Sequence, residues 1–277
     1  MTRDKISACL TVGNEERDIE RCLKSLAWAD EIVVVDSFSK DRTVEICRQY
    51  TERVYQHEWL GYVGQKDLIK KMAVHPWIFF IDADEEVSPQ LRQEILADFD
   101  SGRNKSYVGY EFPRKVFFLG SWIKHGEWWP DIKMRLYLKE RGVCTGREPH
   151  DQVIVDGPVK RLKGCLHHYT YDSISDQMKT LNKFTTISST GMKEEGRKFY
   201  ATDLLVRPLF RFVRGYFLKG GLVEGYRGFI IAVLTAVGVF LKYAKLWELH
   251  HASAQRPGAV KDQQKSDLPG SNDSTGN

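Results

Sequence analysis

The acidic residues that follow two apolar segments are the first candidates for chemistry in this chain. Asp82 and Asp84 come directly after the apolar run 77–81, within FFIDADEE, and Asp36 ends the run EIVVVD. Two carboxylates in the pattern Asp-x-Asp can share a divalent ion, because Mg²⁺ and Mn²⁺ accept oxygen ligands and often link carboxylates to substrate phosphates. The pattern therefore indicates a site for a metal ion and a diphosphate.

An Asp-x-Asp pattern alone is weak evidence. Charged residues make up 28% of the chain, and at ordinary charged-residue usage about one such pattern is expected by chance in a chain of this length. We interpret the next two acids, Glu85 and Glu86, as negative charge at the start of a helix that begins at Ser88-Pro89. The predicted position of Asp82 and Asp84 at the end of a strand strengthens the case for a functional pair.

The first hundred residues alternate between strand and helix patterns. Strands are predicted at 5–12, 31–36, 53–57 and 77–81, with helices at 15–28, 41–50 and 65–74 between them. This series predicts a parallel sheet with helices on both faces. Ligands of such sheets bind at the carboxyl ends of the strands, so Asp36, Asp82 and Asp84 are expected at one edge. Further along, residues 107–138 predict antiparallel strands and residues 173–196 a helix.

Three segments of this half resemble the nucleotide-binding half of the family 2 inverting glycosyltransferases, which have the GT-A fold. They are LTVGNEE (10–16), VVVDSFSKDRT (33–43) and GQKDLIKKMAVHPWIFFIDADEE (64–86). Later segments, among them WWPDIKMRLY, TGREPHDQVIVDG, LHHYTY and RPLFRFVRGYFLKGG, are similar to the lipopolysaccharide-core glucosyltransferase subgroup. The resemblance covers about residues 5–250. It implies an α/β, Rossmann-like GT-A fold for nucleotide sugars, with a C-terminal helical extension that associates with a membrane.

The resemblance also implies site residues and a cofactor. The residues implied for the nucleotide sugar are Thr11 and Glu15 at the nucleoside, Asp36 at the uracil or ribose, Lys66 at the diphosphate, and Asp82 at the ribose or metal. Asp84 is implied as the ligand of a divalent Mg²⁺ or Mn²⁺ ion, with His168 as a further ligand. Asp151 occupies the position of the catalytic base, where the subgroup more often has Glu, and Glu148 is the alternative.

A structural role stays open for several of these residues. Lys66 could lie on a solvated helix face, and His168 could be an ordinary strand histidine. Arg135 could pair with Asp131 rather than contact a phosphate. Of the adjacent Trp128 and Trp129, we expect one in the core and one facing a sugar, because tryptophan is often highly but not fully buried.

The C-terminal region combines positive charge with apolar residues. Residues 201–250 hold seven basic and three acidic side chains, and the resulting +4 equals the net charge of the whole chain. Arg207, Arg211 and Arg214 fall on one face of a predicted helix, which suits an anionic membrane surface. The longest uncharged run, 228–241, is shorter than the ~20 residues of a spanning helix. Nucleic acid is not expected as a partner, because no binding motif accompanies the charge.

The predicted organisation has three parts. Residues 1–200 form the GT-A domain, residues 201–250 the membrane-associating region, and residues 251–277 a polar tail predicted to be disordered. The N-terminus shows no apolar signal-peptide segment, and five scattered cysteines are typical of free thiols in a reducing compartment. We expect a peripheral protein on the cytoplasmic face of a bacterial inner membrane.

The expected activity is an inverting transfer of a sugar, with glucose favoured, from a UDP-sugar to a lipid-linked saccharide. The subgroup resemblance implies a heptose of the lipopolysaccharide inner core as the acceptor. One alternative is a transferase that acts on a polyprenyl phosphate or an exopolysaccharide. Another is a non-catalytic membrane protein that only binds a nucleotide sugar.

Overall fold

The computed structural model describes residues 3–147 and 150–251, except for the side chains of residues 147, 150 and 151. Two expectations therefore lie outside the described residues. One is the side chain proposed as the catalytic base, Asp151, together with its alternative Glu148. The other is the tail predicted to be disordered, apart from His251, which ends a helix.

Four parallel strands form one side of the main sheet, as the sequence predicted. They are β1 (Ile6–Val12), β2 (Glu31–Asp36), β3 (Val54–Gln56) and β4 (Trp77–Phe80). They pair in the order β3-β2-β1-β4. The helices between them are α1 (Ile19–Ser25), α2 (Thr43–Cys47) and α3 (Gly61–Met72). The first two are shorter than predicted, because the residues after β1 and β2 are used in loops that bond to each other.

Antiparallel pairing continues the sheet beyond β4. The remaining strands are β5 (Glu85–Val87), β6 (Gly109–Phe118), β7 (Ser121–Trp122), β8 (Asp131–Leu138), β9 (Gly142–Arg147), β10 (His150–Val155), β11 (Val159–Arg161) and β12 (Leu166–His168). From β4 the order is β8-β6-β12-β5, with β7 and β11 also paired to β6, whereas β9 and β10 form a separate hairpin. Helix α4 (Pro89–Asp100) starts where predicted, and the hydroxyl of Ser88 accepts from the N–H of Leu91 at 3.2 Å.

The core lies on both faces of the sheet because its central strands are apolar on both sides. On one face, Leu10 and Phe79 pack with residues of α1 and α4. On the other face, Cys9 and Phe80 pack with Ile69 of α3, and the β9–β10 hairpin adds partly buried residues. The edge at the strand ends is left for the loops that carry the polar candidates.

Three helices complete the described chain. They are α5 (Ile174–Glu194), α6 (Thr202–Val213) and α7 (Gly225–His251), with residues 214–224 in tight helical turns between the last two. Within the described residues, one helical stretch, Gly221–His251, is long and apolar enough to cross a membrane by length and composition. The 14-residue uncharged run underestimated the length of this helix, because the helix continues through the charged residues on both sides of the run.

The arginines of α6 do not form the free basic face that the sequence suggested. Arg207 pairs with Asp203 in the same helix. Arg211 and Arg214 each reach the buried Glu127 at 3.0 Å, and Lys219 lies 3.7 Å from the same carboxylate. We call these four residues, Glu127 with its three cations, the Glu127 cluster. It joins the helical region to the loop that precedes β8.

Candidate active site

The structure brings the three predicted acids to one edge of the sheet. Asp36 ends β2 opposite Val12 of β1, and Asp82 follows β4 on the other side of β1. Neighbouring strands are ~4.8 Å apart, so the backbones at Asp36 and Asp82 are separated by roughly 10 Å. Thr11, half-buried near the end of β1 opposite Val35, lies between them. This spacing leaves room for a ligand that contacts both sides.

The loops after β1 and β2 are bonded into one wall beside these acids. The N–H of Asn14 donates to the hydroxyl of Ser39, and the N–H of Lys40 donates to the side-chain oxygen of Asn14, both at 2.8 Å. Asn14 adopts a left-handed backbone, φ 59°, which asparagine tolerates better than most residues. The N–H of Glu15 donates to Thr43 at 2.7 Å. These bonds fix Glu15 at the edge of the sheet.

Asp36 is fully buried, and polar groups from within the protein surround its carboxylate. It accepts from the N–H of Ser39 and from the side-chain amide of Gln56, both at 3.0 Å, and from the hydroxyl of Ser39. These bonds hold its orientation at the end of β2. The carboxylate of Asp36 is therefore fixed in place by groups of the protein itself.

Lys66 lies in the interior rather than on a solvated helix face. Its ammonium group is 4.3 Å from the centre of the Phe80 ring, a distance typical of a cation–π contact. It also helps to lower the pKa of Asp82. Its ammonium group thus lies between α3 and β4, and its diphosphate role stays a prediction.

The sequence left two roles open for Arg135, a pair with Asp131 or a contact with a phosphate. The structure does not show the pair with Asp131. Arg135 is buried and donates to Glu85 at 2.8 Å and to Asp82. Asp131 pairs instead with Arg114 at 2.7 Å. Register explains the difference, since β8 runs antiparallel to β4 and brings Arg135 beside the end of that strand.

The interpretation of Glu85 as negative charge at the start of a helix was wrong. Glu85 is fully buried in β5 and accepts from Arg114 at 3.2 Å as well as from Arg135. A buried carboxylate needs such partners, because desolvation disfavours its charge. Glu85 and its two arginines therefore form a charged layer directly beneath Asp82.

The charges of this layer set the ionisation of the candidate acids. Burial disfavours the charged form of Asp82, but Arg135, Lys66 and Arg114 overcome this and lower its pKa. Burial also opposes the charge on Asp84, and His168 reverses the balance and lowers the pKa of that carboxyl. For Glu15, burial together with repulsion from Asp84, Asp18 and Asp82 raises the pKa to about 7. The part of the edge near Asp84 thus favours an additional cation.

Asp84 and His168 are adjacent, as a shared metal ion would require. The Oδ2 atom of Asp84 lies 3.0 Å from Nε2 of His168, which β12 places opposite Glu85. The described residues contain no group of three or more His, Cys, Asp or Glu side chains that could hold a metal by themselves. Mg²⁺ is often bound through one or two carboxylates plus substrate phosphates, so this donor set fits an ion that binds together with a diphosphate.

The strand that carries Asp151 lies on the α3 side of the sheet. In the β9–β10 hairpin, Asp151 is opposite Gly146, and Val153 and Val155 pack against the core on that face. Of Trp128 and Trp129, one was expected in the core and one facing a sugar. Both side chains are half-buried. Trp128 packs on Phe118 with ring centres 5.1 Å apart.

Sequence reasoning did not find the residues that support the acids in this role. Arg135 and Glu85 were interpreted differently, and Arg114 beneath Asp82, like Gln56 and Ser39 around Asp36, was not singled out. One signal was present, because four acids within residues 82–86 require nearby cations. Their partners could not be identified from spacing, since Arg135 is 53 residues away from Asp82.

Replacing Arg135 with Met tests the charged layer. The variant removes one of the two cations that pair with the fully buried Glu85, and it also removes the partner of the partly exposed Asp82. Loss of a partner from a buried pair typically costs about 3–5 kcal/mol. We expect the free energy of unfolding, measured by urea denaturation at pH 7, to fall by that amount.

Arg161→Met is the matched control for this substitution. Arg161 pairs with Glu111 at 2.7 Å, but 63% of its side chain is exposed. Exposed pairs contribute about 0–1 kcal/mol, so this variant should unfold almost like the wild type. Equal losses in the two variants would contradict a special role for the buried layer.

Comparison with known proteins agrees with this geometry. A family model described as glycosyl transferase family 2 matches residues 7–156, more than half of the chain. An uncharacterized glycosyltransferase of Rickettsia typhi is 32% identical over 256 residues, which are 88% of this chain and 87% of the relative. The lipopolysaccharide core biosynthesis glycosyltransferase LpsC of Rhizobium meliloti is 30% identical over 90% of this chain and 94% of its own length.

Solved structures show a more distant similarity. The chain is similar to that of S. aureus TarS 1-349 in complex with UDP-GlcNAc, with a TM-score of 0.46, 14% identity, and coverage of 90% of this chain and 92% of that chain. The ligand of that structure is a property of TarS. The family model covers the acid-bearing edge, and the long relatives extend over about nine-tenths of the chain. With its GT-A sheet and these matches, the chain belongs to glycosyl transferase family 2.

Proposed function

We propose that this glycosyltransferase moves glucose from UDP-glucose to a heptose of the lipopolysaccharide inner core. The positions of Asp36, Asp82 and Asp84 at one edge of the sheet support a nucleotide-sugar site most directly. The similarity to LpsC, a lipopolysaccharide core biosynthesis glycosyltransferase, supports the class of acceptor. The subgroup resemblance of the later segments supports glucose and heptose as the two sugars.

On the donor side, the two ends of UDP-glucose would meet different parts of the edge. We assign to Asp36, which Ser39 and Gln56 hold at the end of β2, the contact with the uracil or ribose. Thr11 and Glu15 would line the same nucleoside pocket. Lys66 would approach the diphosphate. Asp82, kept ionised by Arg135, would contact the ribose or the metal.

Asp84 and His168 would hold a divalent ion, which when bound neutralises the leaving diphosphate as a Lewis acid. Asp84 is charged at neutral pH, since its pKa is lowered. The two side chains already lie within 3.0 Å of each other.

On the acceptor side, the reaction needs a base on the opposite face of the sugar. In an inverting transfer the acceptor hydroxyl loses its proton as its oxygen attacks the anomeric carbon, and the bond to the diphosphate breaks. A carboxylate within ~2.6–3.2 Å of the hydroxyl can accept that proton. We assign this role to Asp151, on the hairpin that packs over α3.

Incubation of the purified protein with a panel of radiolabelled UDP-sugars, Mn²⁺ and a lipopolysaccharide inner-core acceptor tests the proposal. We expect label in the acceptor with UDP-glucose and much less with other donors. Transfer only to a polyprenyl phosphate or an exopolysaccharide would replace the acceptor class. Tight UDP-sugar binding without transfer or hydrolysis of any donor would favour the non-catalytic alternative.

A further inference from the structure

Residues 205–229 expose an unusual density of large apolar side chains. On α6 they recur at positions i, i+1, i+4 and i+5, which places them along one stripe of the helix. Leu205 is 75% exposed, and Leu218 and Val223, in the turns after α6, are each 72% exposed. Monomeric soluble proteins rarely expose contiguous apolar patches of more than a few hundred Å², and larger patches usually mark a binding surface.

The basic residues of the same segment are directed to partners within the protein. Arg207 pairs with Asp203, and three others belong to the Glu127 cluster. Arg227 donates to the carbonyl of Leu119 at 2.8 Å. Every basic side chain between residues 203 and 229 thus has an intramolecular acceptor. The exposed stripe of α6 itself is apolar, and the basic side chains beside it, of which Arg207 is 52% exposed, pair with acceptors within the chain.

Helix α7 is apolar enough to span a bilayer, but its packing opposes that arrangement. Most of its apolar stretch is not buried inside the protein, so burial alone would permit a span. Its C-terminal half is tied to α5, where Lys245 donates to the hydroxyls of Thr185 and Thr186 at 2.8 and 2.7 Å. Helix α5 exposes charged side chains such as Lys179. A spanning α7 would draw these charges into the hydrocarbon, at considerable cost.

We infer that the apolar face of residues 205–229 is a bilayer-binding surface that inserts into the acyl boundary, with α6 lying in the plane of the membrane. The inference deepens the membrane association that the sequence predicted but does not depend on which sugar is moved. It reverses the orientation suggested by the sequence, in which the arginines of α6 faced anionic lipid. Binding energy in this geometry comes from buried apolar area.

The chemistry of the face favours lipid over a protein partner. Protein interfaces carry about one hydrogen bond per 100–200 Å² and a polar rim. On the stripe of α6 the exposed side chains, Leu205, Val206, Leu209 and Phe210, offer no hydrogen-bonding group. The nearby basic groups are already engaged within the chain. Hydrocarbon needs no such partners, so it suits this surface better.

Co-sedimentation with neutral phosphatidylcholine vesicles, without any sugar, tests this inference. Wild-type protein should bind, and its affinity should change little between low and high salt, because exposed charges contribute little to the contact. Leu205→Asp and Leu209→Asp should each weaken binding about 10- to 100-fold, through loss of one inserted leucine. Both residues are exposed, so the variants should keep the wild-type thermal unfolding.

Val74→Asp is the matched control, since Val74 is 66% exposed after α3, outside this segment. It should bind vesicles like the wild type. Binding that requires anionic lipid and disappears at high salt would overturn the inference. So would a lipid-free dimer, seen by sedimentation velocity, that Leu209→Asp dissociates while neither form binds vesicles.

Discussion

Asp84→Asn should lower sugar transfer by about 10³-fold or more, corresponding to about 4 kcal/mol of transition-state stabilisation. The amide keeps the size of the side chain and can still contact the ring of His168, so the fold should be retained. It removes the negative charge that would bind the ion. Transfer of labelled glucose and Mn²⁺-stimulated binding of UDP, measured separately, should both be lost.

The same substitution at an exposed aspartate gives the control. Asp156 has 94% of its side chain exposed, and Asp156→Asn should transfer sugar at the wild-type rate. Full activity of Asp84→Asn would contradict the metal assignment. Undiminished wild-type activity in EDTA would contradict the need for a metal at all, whatever the Asp84 variant does.

Asp151→Asn should slow transfer by about 10²–10⁴-fold, the usual contribution of a general base. This corresponds to about 3–5 kcal/mol at 1.36 kcal/mol per decade. The amide cannot take the acceptor proton, whereas the nucleotide end of the site is unchanged. UDP affinity, measured by calorimetry in the presence of Mn²⁺, should therefore stay close to that of the wild type.

Two further variants locate the base. Glu148→Gln removes the alternative carboxylate and should transfer sugar nearly normally. If it abolishes transfer while Asp151→Asn does not, the base is Glu148. Normal transfer by both variants would show that the base lies elsewhere. Asp151→Glu restores the residue that is more common in the resembling subgroup, so near-normal activity would show that the position tolerates the longer reach.

The parallel half of the fold could be predicted because its signals are local. The apolar run of β2 ends at Asp36. The alternation of strands and helices along the chain indicates that each strand is joined to the next through a helix, as in a parallel sheet. The carboxyl ends of parallel strands share an edge, so the common location of Asp36, Asp82 and Asp84 followed from the same pattern. The capping start of α4 at Ser88 was equally local.

The supporting charges could not be predicted because they depend on pairing between distant segments. Arg135 reaches Asp82 only through the antiparallel register of β8 on β4, and no local pattern specifies that register. Glu85 looked like helix-start charge because its strand has three residues and its partner β12 comes some eighty residues later. For α6, the sequence pattern showed a basic face and an apolar face. It could not show that Arg211 and Arg214 pair with the distant Glu127, which orients the basic face towards the domain.

The Glu127 cluster also connects the proposed bilayer-binding surface to the loop before β8. Glu127 adjoins Trp128, and the same loop is held at Lys124, whose N–H donates to Glu224 at 2.9 Å. Arg227 holds the neighbouring turn between β6 and β7 at Leu119. A lipid surface that stabilises α6 would thereby stabilise this loop in one arrangement. Thermodynamic linkage is reciprocal. If the loop contributes to acceptor binding, an acceptor in place would hold the enzyme on the membrane more tightly, by the same factor by which the membrane improves acceptor affinity.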